Sequence, residues 1–406
     1  MSDDLTLVFR ITASLREPVK YAVIREAVEI TSKRFPYFSV SLGTGIFWHF
    51  LEFNDQLPRI QSEENIPCTA FAVKSRNEPL YRILVRGCRI SVEFLHLLTD
   101  GSGALEYLRS LIYTYRSLSG KDVIDPGDII LPGSEISLEE IEDGYNMYFR
   151  KLPPPAKPAK AWHLPFRLNE KPRLRVLHAE LKVDEMLELS RKYKVSVTEY
   201  FVSVCHFALQ QIYISGNGKA GTCRNRVLRI EVPVNMRTKY PSRTMRNFSL
   251  YVLPEIDLRL GIYTFEEIVK SVYHQFQIST DTKQISRFLS SNVSYERQLF
   301  VRILPLFVKK MAISAIYRGI ASKRLTAVIT NLGLVSLPPG MEDLVDFFEI
   351  VPPPPNTAVK MSIGIVSYKD RMRISFCNIT QSRELERLVL RHLAKAGLSV
   401  RILNEF

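Results

Sequence analysis

The sequence predicts a mixed α/β protein folded as two subdomains, and three observations carry that expectation. Segments of period-two apolar alternation interleave with segments of helical spacing along the chain. Its 406 residues exceed the length of about 250–300 at which a single hydrophobic core stops growing. The stretch "KLPPPAKPAKAWHLP", residues 151–165, is too rich in proline to continue a helix or a central strand, which makes it an extended linker. The expected division is an N-terminal subdomain over 1–150 and a C-terminal subdomain over 166–406.

The elements follow in chain order. "YRILVRGCRISVEFLHLLTDG", residues 81–101, shows two short strands around a turn at Gly87, with Ile90, Val92, Phe94 and His96 on one face of the second. After Asp100-Gly101-Ser102, the residues Leu105, Leu108, Leu111, Ile112 and Tyr115 recur at helical spacing, so His96 sits at a strand-to-helix junction. Beyond the linker come a strand, a helix near 184–193 and a second helix beginning near Thr198. "RVLRIEVPVNMR" is a strand ending in Arg237, "TAVITNLGLVSL" is another, and "VKMSIGIVSYKDRMRISFCNI" is a hairpin about Lys369-Asp370. "FVRILPLFVKKMAISAIYRGIASKRL", residues 300–325, reads as a core-facing helix whose Lys309, Lys310, Arg318, Lys323 and Arg324 form a solvated face. The same pattern fits a helix lying on an anionic membrane, which stays open if the substrate is a lipid.

Composition narrows the function classes. Hydrophobic residues at 46% and charged residues at 24% describe a folded chain. The acidic start "MSDDLTLVFR" lacks the order of a secretory signal, and "YFVSVCHFALQQIYI" is too short and polar to span a bilayer, so the expected location is the cytoplasm without stable membrane insertion. Five scattered cysteines (Cys68, Cys88, Cys205, Cys223, Cys377) form no C-x-x-C pair, which points to neither a disulfide framework nor a metal site. The net charge of +13 attracts polyanions, from nucleic acid and anionic lipid to acidic proteins and phosphorylated cofactors. No basic tract interleaved with aromatics supports a nucleic-acid partner. P-loop and G-x-S-x-G signatures are absent as well.

Histidine is suited to general-base work when its pKa lies near the working pH and a partner fixes its tautomer. By spacing alone, His96 and Asp100 fit two readings. One is a base presented by a loop that Asp100 anchors; the other is a core histidine beside an Asp-Gly helix cap. His206 and His163 carry no accompanying motif.

The H-x-x-x-D-G stretch at 96–101 resembles the motif of the condensation-domain and chloramphenicol-acetyltransferase-like acyltransferases. "RFPYFSVSLGTGIFWHFLE", "VPVNMRTKYPSRTMRNFSLYV" and "TNLGLVSLPPGM" resemble stand-alone alcohol-acetyltransferase-type members in the same chain order. The resemblance implies two chloramphenicol-acetyltransferase-like subdomains in a V, with a tunnel between them and His96 midway along it. It further implies His96 as base, Asp100 as a structural residue paired with Arg237, and Gly101 as a point of close approach. Asn331 would help to hold an oxyanion. The donor would be acyl-coenzyme A or an acyl-phosphopantetheine carrier protein, the acceptor an alcohol or amine, and no cofactor would be permanently bound. Lys239, Arg243 and Arg246 are then candidates for phosphate contacts. Leu95 stands where condensation domains usually carry a second histidine, which favours a stand-alone enzyme; the plant-type aspartate-phenylalanine-glycine-tryptophan-glycine motif is missing. A non-catalytic module of the same fold that binds a carrier protein or ligand is the alternative.

Overall fold

The computed structural model describes residues 6–63, 66–71, 78–120, 125–216, 225–316 and 322–405. Two large sheets carry the architecture. The first has the order Val345–Val351, Val8–Leu15, Arg89–Leu95, Tyr81–Arg86, Ile60–Ser62. The second runs Glu255–Asp257, Val227–Asn235, Ala327–Val335, Met361–Tyr368, Arg371–Asn378, Arg175–Lys182, Arg401–Glu405, with Ser249–Val252 also paired to Val227–Asn235. Parallel and antiparallel pairs mix in both. A separate hairpin joins Val40–Thr44 to His49–Phe53.

The predicted junction forms as its spacing requires. Gly87 turns the first hairpin with φ of 57°, a conformation that glycine adopts without a Cβ penalty. The helix Gly101–Leu118 buries Leu108, Leu111, Ile112 and Tyr115 against the first sheet, beside the helix Tyr21–Arg34. Tyr81 stacks on Phe94 at 5.0 Å between centroids, and Phe38 meets Phe94 edge-on at 5.0 Å. In the second half, helices Val197–Gly216, Phe265–Ser279 and Glu384–Lys395 pack in a core of their own. The predicted helix near 184–193 spans Val183–Lys192, with Asp184 and Glu185 in its first turn and Arg191 and Lys192 in its last, as the helix dipole favours. The hairpin at Lys369-Asp370 also forms, Tyr368 pairing with Arg371.

The segment 151–165 is extended, as its prolines require, and is pinned throughout. Leu152 N donates to Ser290 Oγ at 3.1 Å, Arg229 Nη1 to Ala159 O at 2.6 Å, and Trp162 N to Val227 O at 2.7 Å.

Two features depart from the sequence expectation. Val345–Val351, far beyond the linker, pairs antiparallel with Val8–Leu15 and closes one edge of the first sheet. An uncovered edge would leave a row of unpaired backbone groups. Segment 300–325 does not bury an apolar face as one helix. Pro305 interrupts it, giving Leu299–Ile303, which buries no residue, and Leu306–Ile316. Arg318 lies outside the described residues, as does Cys223. Among the described residues no helix is long and apolar enough to cross a membrane.

A charged layer joins the two sheets on the strand faces turned away from the first core. Arg10 Nε donates to Glu93 Oε1 at 2.7 Å within the first sheet. Glu349, on the edge strand Val345–Val351, accepts from Arg89 of the first sheet at 2.7 Å and from Arg373 of the second at 2.9 Å. Burial pushes the Glu349 carboxyl up, but His178, Arg89 and Arg373 outweigh it and hold it below its ordinary range. Glu349→Gln should therefore lower stability, by less than the about 3–5 kcal/mol of a buried pair broken outright, since Arg89 keeps Glu63 and Arg373 keeps Glu180. Because the native pKa is depressed, this contribution is present above the ordinary value of 4.5 and lost as the pH falls below it. Urea melts of both proteins from pH 7 to pH 3 check this: the gap should close on the acid side. Glu29→Gln, at an exposed pair, should shift the midpoint little.

Candidate active site

The strand Arg89–Leu95 ends where the backbone N–H of His96 donates to Leu7 O at 2.8 Å. The imidazole lies tilted against the Phe9 ring, 5.0 Å between centroids. Asp100 then caps the helix, its Oδ1 accepting from Ser102 N at 3.1 Å and Gly103 N at 3.2 Å. Its Oδ2 points the other way and accepts from Arg237 Nη1 at 2.8 Å and Phe248 N at 2.8 Å. The cap and the anchor, alternatives when only spacing is considered, are two oxygens of one carboxylate.

Arg237 organises the loop that supplies those second-half donors. Its Nε donates to Thr244 O at 2.8 Å, Nη2 to Arg246 O at 2.7 Å, and Nη1 also reaches Asn235 Oδ1 at 3.1 Å. Thr99 Oγ1 ties the same loop to the His96 turn by donating to Met245 O at 2.7 Å. Gly103 is required here, because a Cβ in its place would lie 2.8 Å from Met245 O and overlap Thr99. A Cβ at Gly101 would overlap the Leu332 side chain, so Gly101 is a point of close approach, to protein rather than to open space.

Residues that the sequence left unassigned complete the site. Asn247 Nδ2 donates to the His96 carbonyl oxygen at 3.0 Å and lies 3.2 Å from His96 Nδ1, while its Oδ1 accepts from Ser249 Oγ at 2.9 Å. Asn235 Nδ2 donates to Ser102 Oγ at 3.0 Å. Both asparagines fall inside "VPVNMRTKYPSRTMRNFSLYV", the stretch that carries Arg237; their nearness to that arginine was the available signal. Burial pulls the His96 imidazole below its ordinary 6.5, a hydrogen bond with its own backbone and the Asp100 charge opposing only in part. Burial thus favours the neutral ring over the imidazolium.

Asn331, Lys239, Arg243 and Arg246 are the other expected residues. Asn331 Nδ2 donates to Thr198 Oγ1 at 2.9 Å and its Oδ1 accepts from Gly333 N at 2.8 Å. Both ends of that amide shape the irregularity between Asn331 and Leu334 and the start of a helix. Lys239, Arg243 and Arg246 are exposed on the outside of the Arg237 loop, Arg243 standing 4.0 Å from Glu139. His206 is fully buried in its helix, and His163 Nδ1 is 2.9 Å from Ala358 O. Among the described residues no group of three or more His, Cys, Asp or Glu side chains could hold a metal ion.

No protein-family model and no curated protein sequence matches the chain. Its fold does have solved counterparts. It is similar to TRI101 of F. sporotrichioides, solved with coenzyme A and T-2, at a TM-score of 0.62 and 10% identity, covering 99% of this chain and 97% of that one. It is similar to the first condensation domain of the calcium-dependent antibiotic synthetase at 0.60 and 14%, covering 97% and 92%. It is similar to the wax ester synthase/diacylglycerol acyltransferase of Marinobacter aquaeolei VT8 at 0.55 and 12%, covering 98% and 96%. The chain has the fold of the condensation-domain and chloramphenicol-acetyltransferase-like superfamily, over nearly its whole length.

The Asp100–Arg237 pair is largely buried, with side-chain exposures of 7% and 15%. Asp100→Ala and Arg237→Ala should each cost about 3–5 kcal/mol because the remaining charge is left uncompensated. The double variant should cost less than the sum by about 0.5–3 kcal/mol in a denaturation double-mutant cycle. Strict additivity would show that the two residues act independently.

Proposed function

We propose that the protein is an acyltransferase that moves an acyl group from a phosphopantetheine thioester, on coenzyme A or a carrier protein, to a hydroxyl or amine. The observation that carries this reading is the place of His96 at the strand end, where Asn247 of the second half reaches its ring and its carbonyl and the Asp100–Arg237 pair ties the adjoining turn to the second-half loop. The reading requires the neutral tautomer with its proton on Nδ1, which leaves the Nε2 lone pair as the base. Nε2 takes the acceptor's proton as its oxygen or nitrogen attacks the thioester carbonyl. The tetrahedral adduct then expels the thiolate, which takes the proton back from the imidazolium, so the enzyme returns to its starting state. Likeness in fold to a coenzyme A complex and to condensation domains supports this donor class.

In this proposal segments 1–150 and 166–406 are the two subdomains, the first completed by the strand Val345–Val351 of the second, and the tunnel between them admits donor and acceptor to His96. Lys239, Arg243 and Arg246, exposed on the Arg237 loop, receive the donor phosphates, as Lys and Arg near a mouth raise local polyanion concentration. Asn331, whose Nδ2 keeps a second N–H beyond the one given to Thr198, helps to hold the oxyanion.

His96→Ala should lower kcat by about 10²–10⁴-fold with little change in thermal midpoint. For the wild type, kcat/KM should fall as the pH drops through a value below 6.5, because only the neutral ring accepts a proton and burial holds its pKa under that figure. An acid limb above 6.5, or full turnover by the variant, would remove His96 from the mechanism.

Release of free thiol from acyl-coenzyme A and acyl-carrier donors, with mixed alcohol and amine acceptors, tests the reaction itself. Raising the salt should raise KM and leave kcat nearly constant, since screening weakens encounter rather than chemistry. If no donor of either type is consumed, the protein is a binding module of the same fold.

A further inference from the structure

The described chain leaves a cluster of large apolar side chains uncovered far from the Asp100–Arg237 pair in sequence. The strand His49–Phe53 is exposed along its whole length. In the hairpin, Ile46 is 75% exposed, Phe53 68%, and Phe47, Trp48, Phe50 and Leu51 between 41% and 47%. The short helix Leu299–Ile303 buries nothing, and Leu299, Phe300, Ile303, Phe307 and Met311 are each more than 60% exposed. These two regions are one surface. Leu306 N donates to Ile46 O at 2.8 Å, Lys309 Nζ donates to Phe47 O at 2.9 Å, and the same ammonium lies 3.4 Å from the centre of the Trp48 ring. Soluble monomers seldom expose contiguous apolar patches of this kind without a partner.

Charge identifies the partner. From Arg297 to Met341 the sequence holds seven cations, Arg297, Arg302, Lys309, Lys310, Arg318, Lys323 and Arg324, and no carboxylate. Arg302 and Lys310 are exposed among the apolar side chains of the two helices. A tryptophan packed beside a lysine, with phenylalanines and the exposed Arg302 and Lys310 beyond them against one exposed carboxylate of the hairpin strand, Glu52, is the arrangement that seats a surface in a lipid headgroup layer. We infer that this hairpin and helix pair form an interfacial docking surface for an anionic phospholipid bilayer. The inference is independent of the acyl-transfer reading, because no residue of the His96 site takes part.

The experiment is co-sedimentation of the full chain with vesicles of phosphatidylcholine containing phosphatidylglycerol, and with phosphatidylcholine alone, at low and high salt. The wild type should sediment with the anionic vesicles, less so at high salt and least with the neutral ones. Trp48 emission should shift to the blue on binding, and Trp162, 4% exposed and packed on Tyr213, should not contribute. Phe300→Glu with Phe307→Glu should reduce partitioning at least about tenfold. Arg302→Glu with Lys310→Glu should reduce it about fivefold or more per charge and abolish the preference for anionic lipid. All four substitutions are at exposed positions, and an unchanged circular dichroism spectrum and melting temperature establishes that the variants are folded. Failure of the wild type to sediment, or equal binding by the glutamate variants, overturns the inference. So does a homodimer, seen by sedimentation velocity, that the phenylalanine variants dissolve while vesicles bind neither form.

Discussion

Everything around His96 depends on the Asp100 carboxylate and its four donors. Two come from the helix it caps and two from a loop more than 130 residues later in the chain. A carboxylate can serve both because its oxygens point apart and each accepts more than one N–H. One oxygen satisfies the orphan amides of the helix start, which any N-terminus must resolve. The other fixes where the second-half loop stands, and through Asn247 that loop reaches back to the histidine. The strand end, the helix start and the Arg237 loop therefore share one reference point.

Much of this was legible in the sequence, for identifiable reasons. The alternation Ile90, Val92, Phe94 and the helical spacing after Asp100 are local signals, and the strand, turn and helix they specify formed. Arg237 beside Asp100 could be placed only by resemblance, since an arginine at the end of a strand carries no local mark of its partner. Asn235 and Asn247 were missed because an amide side chain has no periodicity; their partners, Ser102 and His96, are brought to them by tertiary structure. In segment 300–325 the apolar side chains Phe300, Ile303, Phe307 and Met311 are exposed, because helical spacing of apolar residues reports a face without reporting whether anything covers it. Pro305 was the available sign that one helix would not form.

The sheet faces show a second constraint. Val8–Leu15 is buried along its whole length, yet its sequence VFRITASL alternates apolar residues with Arg10, Thr12 and Ser14. One face packs in the first core and the other enters the charged layer, where Thr12 Oγ1 is 2.8 Å from Ser91 Oγ. Such a layer adds less net stability than an apolar one would, but each of its charges requires a specific partner, so it fixes registry between sheets. Glu349 does this most directly, holding Arg89 and Arg373 on different sheets at once.

The edge strand Val345–Val351 bears on how the chain is made. During synthesis the other four strands of its sheet, the last of which ends at Leu95, leave the ribosome well before the edge strand that begins at Val345. Until it arrives, Val8–Leu15 presents an open row of backbone donors and acceptors, the template on which nascent chains aggregate. The two halves are thus not a finished module followed by another. The earlier sheet is completed from the later part of the chain, and its final closure waits on a loop that spans most of the polypeptide.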